Sequence, residues 1–204
     1  MKEADIRPEN KIEKYTEIMN KEILSFLDNG LLKKSASEFV KCPLCDHEKY
    51  TNLFVKNGFT FVRCSNCGLT YVNPQLKKDL LEQYFKKSDT MTYFQKNILI
   101  ETIKRREEIF LSRIKMLKEF RADGRLLDVG CAVGQFLALA RDHGYDPVGI
   151  ELNEYACEYA RSHFGLKVYS TQLEEVRFPE NSFDIITLWE VIDFMPNALV
   201  TMKE

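Results

Sequence analysis

Residues 126–137 read Leu-Leu-Asp-Val-Gly-Cys-Ala-Val-Gly-Gln-Phe-Leu. An apolar strand ends near Asp128, Gly130 and Gly134 frame a tight turn, and a helical run follows. Glycines at such a bend let the backbone approach a ligand closely, and the next helix presents free amide donors at its N-terminus. The run departs from the dinucleotide pattern G-x-G-x-x-G, because Ala132 holds the middle position and no third glycine falls at the expected place.

Outward from this turn the pattern repeats. QFLALARDHG reads as a helix stopped by Gly144, PVGIEL as a second strand, and EYACEYARSHFG as a second helix stopped by Gly165. A short strand around KVYS follows, then the turn PENS, the strand FDIITLW and the start of a further helix. Strands separated by helical segments of this length predict a parallel sheet with crossover helices, the doubly wound α/β arrangement. Glu151 stands at the carboxyl end of the second strand, about twenty residues after the glycine turn. An acidic side chain there can accept hydrogen bonds from both ribose hydroxyls of an adenosine ligand.

Upstream, residues 39–76 alternate short β-type runs with turn residues and hold four of the six cysteines. Cys42 and Cys45 form one C-x2-C pair, Cys64 and Cys67 a second, and eighteen residues lie between the pairs. Two knuckles at this spacing predict a tetrahedral four-thiolate zinc site with no position left open for catalysis, so the metal would be structural. Bound zinc would supply much of the folding free energy of so short a segment. Ligand identity alone also leaves room for an iron–sulfur centre. A redox pair fits less well, since neither pair opens a helix after a strand.

Residues 1–38 carry apolar side chains at Ile12, Tyr15, Ile18, Met19, Ile23, Leu24, Phe26 and Leu27, spacing that predicts one amphipathic helix ending near Asn29-Gly30. Residues 77–124 form a helical connector: two helices are expected, the second long and closed by Asp123-Gly124.

The stretch LLDVGCAVGQFL, with Glu151 and with FDIITLWEVIDFMPN, resembles the class I S-adenosylmethionine-dependent methyltransferase family. The ribbon RCSNCGLTYVNPQ is similar to one that precedes many bacterial methyltransferase domains acting on small molecules or sugars. The resemblance implies a Rossmann-like α/β sheet over residues 125–204. It assigns Asp128, Gly130, Cys131 and Gly134 to the methionine end of the cofactor, Glu151 to its ribose and Leu152 to a flank of the adenine. Thr171, Gln172 and Leu173 match a loop that touches the adenine ring, and Trp189 and Glu190 lie where the fourth strand opens toward the methyl group. The implied cofactors are S-adenosylmethionine and structural zinc.

Two departures stand out. Relatives often carry E-V-I-E-H where this chain has Glu190, Val191, Ile192, Asp193 and Phe194, and phenylalanine cannot accept a proton. The catalytic candidates that remain are Glu190 and Asp193. The family sheet has about seven strands and the sequence ends at Glu204, soon after the fourth, so a C-terminally incomplete sheet is expected.

The expected reaction is methyl transfer to a small-molecule acceptor, for example a sugar or a secondary-metabolite precursor. Two alternatives stay open: RNA methylation, given basic residues and aromatics in the ribbon, and a non-catalytic cofactor-binding or zinc-scaffold protein. Twenty-nine basic and 31 acidic residues give a net charge of -2, which offers no global case for a nucleic-acid partner. The N-terminal residues lack a signal-type apolar run and nothing approaches a membrane span, so a cytoplasmic protein without a membrane partner is expected. None of these motifs fixes an oligomeric state.

Overall fold

The computed structural model describes residues 9–195 and 198–203. The first eight residues of the N-terminal segment, and Pro196 and Asn197 at the end of the fourth-strand motif, lie outside the described residues.

Helix α1 (Glu9–Ser25) stops four residues before the expected Asn29-Gly30 boundary. Those two residues instead join strands β1 (Leu27–Asp28) and β2 (Leu31–Leu32), which pair antiparallel. Asn29 and Gly30 take φ of 48° and 76°, the paired positive values of a tight hairpin turn. The same dipeptide serves as a helix stop or as a hairpin turn, and the Leu27↔Leu32 pairing selects the second.

Strand β3 (Ser37–Glu38) leads into the cysteine segment. There β4 (Tyr50–Lys56), β5 (Phe59–Cys64) and β6 (Thr70–Val72) form an antiparallel sheet in that order. Strand β7 (Gln75–Leu76) turns back to pair with β3. Alternation along β5 sends Val62 and Cys64 inward, where they pack with Cys42 and Tyr71.

The connector holds more breaks than the two expected helices. Helix α2 (Lys78–Lys87) ends at Ser88, whose hydroxyl accepts the Met91 amide and starts α3 (Asp89–Tyr93). A π-helical stretch, Phe94–Leu99, follows, and then α4 (Ile103–Phe120). The expected closure of α4 at Asp123-Gly124 is not found: α4 ends at Phe120 and Gly124 opens the next strand. Gly124 has a φ of 120° and lies so close to Asp184 that a Cβ would fall 2.5 Å from the Oδ2 of that residue.

From there the chain alternates β8 (Gly124–Val129), α5 (Gln135–Asp142), β9 (Tyr145–Ile150), α6 (Glu154–Phe164), β10 (Lys167–Tyr169), α7 (Leu173–Val176) and β11 (Ile185–Thr187). A 3-10 turn at Ile192–Phe194 and helix α8 (Ala198–Thr201) end the described chain. The strands lie in the order β10-β9-β8-β11 and all neighbours are parallel. Leu126 belongs to a core built with Ile114, Phe136 and Ala160, while Leu127 belongs to a second core with Val148 and Ile150. Both faces of the sheet are therefore covered, as a doubly wound α/β fold requires. The expected α/β class and parallel sheet are what the chain adopts.

Candidate functional site

The chain runs outward from β8 to β9 and β10, then returns to place β11 on the other side of β8. Such a switch of direction opens a crevice at the carboxyl ends of the central strands. Asp128, Gly130 and Glu151 all sit at that end.

Asp128 is buried, at 3% exposure, and its Oδ1 accepts the Thr187 hydroxyl at 2.7 Å from the paired strand. Burial pushes its carboxyl up to about 7, against the hydrogen bond from Thr187 and the charge of Arg113, with the nearby Glu151 adding to the rise. After it the backbone turns through φ of 78° at Gly130, 49° at Ala132 and 80° at Gly134. A Cβ on Gly130 would collide with the Val191 side chain, so that position needs glycine for both its conformation and its neighbour. Gly134 caps α5, and a Cβ there would lie 2.9 Å from that of Ala160.

Glu151 closes the turn from the next strand. Its Oε2 accepts the Ala132 amide at 2.9 Å and its Oε1 accepts the Asn153 amide at 2.8 Å. Burial raises its pKa, opposed by the backbone donors of Asn153, Ala132 and Leu152. A half-buried carboxylate held at the mouth of a glycine turn is the acceptor that the two hydroxyls of a ribose diol need, and these residues fit an adenosyl ligand.

Residues 102–204, half of the chain, match the family described as "Methyltransferase domain". The chain belongs to the class I S-adenosylmethionine-dependent methyltransferase family. It is similar to a solved methyltransferase from Thermotoga maritima, titled a possible histamine N-methyltransferase, at 22% identity over 54% of this chain and 52% of the other, with a TM-score of 0.42. It is similar to the plantazolicin methyltransferase in complex with SAH at 18% identity, 60% and 50% coverage and a TM-score of 0.44. A third, an S-adenosylmethionine-dependent methyltransferase from Archaeoglobus fulgidus, is 24% identical over 48% and 44% of the two chains, with a TM-score of 0.41. The chain thus spans about half the length of the solved structures it matches. No curated protein matches it.

The methyltransferase sheet brings the remaining sequence-derived residues to different places. The thiol of Cys131 faces Gly149 in the core, and burial first, then Glu151 and Asp128, raises its pKa. That leaves its backbone, not its sulfur, at the turn. Leu152 is half-buried beside Glu151, and Leu173 opens α7 while packing on the core of Val129 and Ile150. Gln172 precedes α7, and its Nε2 donates to Glu82 of α2 at 2.7 Å.

At the end of β11, Trp189 packs edge-on against Phe136 and its indole N–H is buried without an acceptor among the described residues. The Arg113 guanidinium lies 4.5 Å from the centre of that ring and pairs with Glu190 at 3.0 Å. Glu190 takes a φ of 58° and its carboxylate points out toward α4, while Asp193 is exposed on the 3-10 turn. The two carboxylates therefore do not converge. Phe194 meets Phe85 of α2 edge-on at 5.8 Å.

Sequence reasoning missed Thr187, Asn153, Arg113 and Val191. Asn153 carried a legible signal, since an asparagine directly before a helical run reads as an N-cap, and its Oδ1 accepts the Ala156 amide. Arg113 carried none, because its position over Trp189 depends on how α4 packs against the sheet.

In the ribbon, outside the matched segment, the sulfurs of Cys42, Cys45, Cys64 and Cys67 all lie within 4.8 Å of one another. Cys42 and Cys67 are 3.5 Å apart and Cys45 and Cys64 3.6 Å, close to the edge of about 3.8 Å of a tetrahedron with zinc–sulfur bonds of about 2.3 Å. The side chain of Asn66 and the backbone of His47 draw the Cys45 thiol down to about 6. Cys67 is favoured as thiolate by the Leu69 amide, but burial and the neighbouring sulfurs push it up to about 12. The four residues fit a zinc ion.

Proposed function

We propose that this protein is an S-adenosylmethionine-dependent methyltransferase that methylates a small-molecule acceptor, with a structural zinc in its ribbon. We divide the chain into an N-terminal segment (1–38) that carries helix α1 and the β1–β2 hairpin, the ribbon (39–76), a helical connector (77–124) and a cofactor-binding part from residue 125 onward. The observation that carries the reading is Glu151, whose carboxylate joins the glycine turn after β8 to the start of α6.

S-adenosylmethionine supplies, when bound, a methyl group on a sulfonium that is already electrophilic. The protein then has mainly to bind and align. Glu151 holds the ribose hydroxyls. Asp128, with the backbone of Gly130, Cys131 and Gly134, receives the methionine end, and Trp189 walls that end. Leu152, Gln172 and Leu173 line the adenine. Glu190 and Asp193 stand at the rim as candidates for removing a proton from the acceptor.

Cys42, Cys45, Cys64 and Cys67 offer four thiolates, which leaves zinc no open position for substrate and supports a structural role. No helix among the described residues is long and apolar enough to cross a membrane, and we place the protein in the cytoplasm, where paired thiols stay available to a metal.

Calorimetric titration with S-adenosylhomocysteine, followed by transfer of labelled methyl to a panel of small acceptors, tests the proposal. Saturable binding near 1:1 and labelled product are expected. Binding without transfer to any acceptor would leave a cofactor-binding protein and end the enzymatic reading.

A further inference from the structure

Helix α2 belongs to the connector, outside the matched family segment, yet it lies against the carboxyl ends of β9, β10 and β11. Asn153, after β9, donates its side-chain amide to the Phe85 carbonyl at 3.2 Å. Gln172, after β10, donates to Glu82 at 2.7 Å, and Phe194, after β11, meets the Phe85 ring. Glu82 and Phe85 are three residues apart, one helical turn, so the same face of α2 makes all three contacts.

The Gln172–Glu82 pair has a consequence for ligand choice. A side-chain amide offers a donor end and an acceptor end, and either can face a ligand. An ionised carboxylate only accepts, so Glu82 draws the NH2 of Gln172 toward itself and turns the carbonyl Oε1 the other way. No described residue donates to that oxygen, and both side chains are half-buried. We infer that Glu82 is a positioning residue that presents the Gln172 carbonyl to the exocyclic amine of the cofactor's adenine, and so selects an aminopurine over an oxopurine. Adenine offers a donor at C6, which the fixed carbonyl accepts. Hypoxanthine offers an oxygen there, which would face another oxygen. The inference rests on the proposed adenosyl site, and it gives the connector a part in recognising the cofactor.

The test is calorimetric titration of the full chain with S-adenosylhomocysteine and with S-inosylhomocysteine, for the wild type, Glu82→Gln and Glu82→Ala, each checked for native circular dichroism. The wild type should prefer the adenosyl compound by about tenfold, as expected when one ligand leaves a partly buried acceptor facing an acceptor. Glu82→Gln can donate as well as accept, so it frees the Gln172 amide to rotate. It should keep adenosyl binding within a few-fold and bring the preference down toward parity, with Glu82→Ala following it. An unchanged preference in both variants would overturn the role of Glu82 while leaving the cofactor site standing. No binding of S-adenosylhomocysteine to the wild type would instead overturn the site itself, and the inference with it.

Discussion

The carboxylate of Glu151 accepts the backbone amide of Ala132 at 2.9 Å, which ties the end of the second parallel strand to the glycine turn that follows the first. An amide at the top of that turn would otherwise face the crevice without a partner. Glu151 therefore shapes the bend as well as offering oxygen atoms to a ligand, since one amide on each carboxylate oxygen leaves lone pairs free to accept from a diol.

The turn tolerates no side chain at position 130. Gly130→Ala places a Cβ against Val191 at a positive φ, and should cost about 1–3 kcal/mol of stability. Adding Val191→Ala should recover part of the loss, because it removes the collision and leaves only the backbone term. Denaturant titrations of both single variants and the double variant check this. Strict additivity would mean that the two side chains do not meet.

Stability should fall as pH rises toward neutrality because of Asp128. An unfolded aspartate titrates near 3.9 while the folded carboxyl sits at about 7. Below the lower value both states hold the proton and burial carries no charge penalty. Between the two, the unfolded chain releases its proton and the native one retains it, so stability declines with pH by on the order of a few kcal/mol and levels off above about 7. Asp128→Asn has no such group. The melting temperature of the wild type relative to this variant should decline between about pH 4 and about pH 7 and run parallel above that. Thr187→Val, which removes the hydroxyl that favours the carboxylate, should move the midpoint of the decline upward. Parallel profiles for the wild type and Asp128→Asn would show that Asp128 titrates normally.

The ribbon should stand or fall with its metal. Purified protein should carry close to one zinc per chain, released by thiol modification and read with a chromophoric chelator. Cys64→Ser removes one buried ligand beside Val62 and Tyr71 and should lose the zinc together with the low-temperature part of the melting transition. A variant that melts like the wild type, with or without added zinc, would remove the structural role.

Much of the fold was legible because its signals are local. The run from Leu126 to Leu137 carries a strand, a turn and a helix start within twelve residues, and Gly144 and Gly165 end their helices as expected. Asn29-Gly30 misled because the dipeptide stops helices and turns hairpins alike, and only the pairing of Leu27 with Leu32 decides between them. Asp123-Gly124 misled in the same way: the close approach of Asp184, sixty residues away in sequence, places Gly124 in a strand. Within the site, Asp128 and Glu151 follow from their places at strand ends. Arg113 over Trp189 and Glu82 against Gln172 do not, since each joins elements that no short window contains.

The most direct measurement is a crystal structure of the protein with S-adenosylhomocysteine bound. Both ribose hydroxyls should lie within about 3.2 Å of the Glu151 carboxylate oxygens, with the nucleoside over the bend at Gly130 and Gly134. A nucleoside bound elsewhere, or a ribose out of reach while Glu151 still holds only the Ala132 and Asn153 amides, would contradict the account.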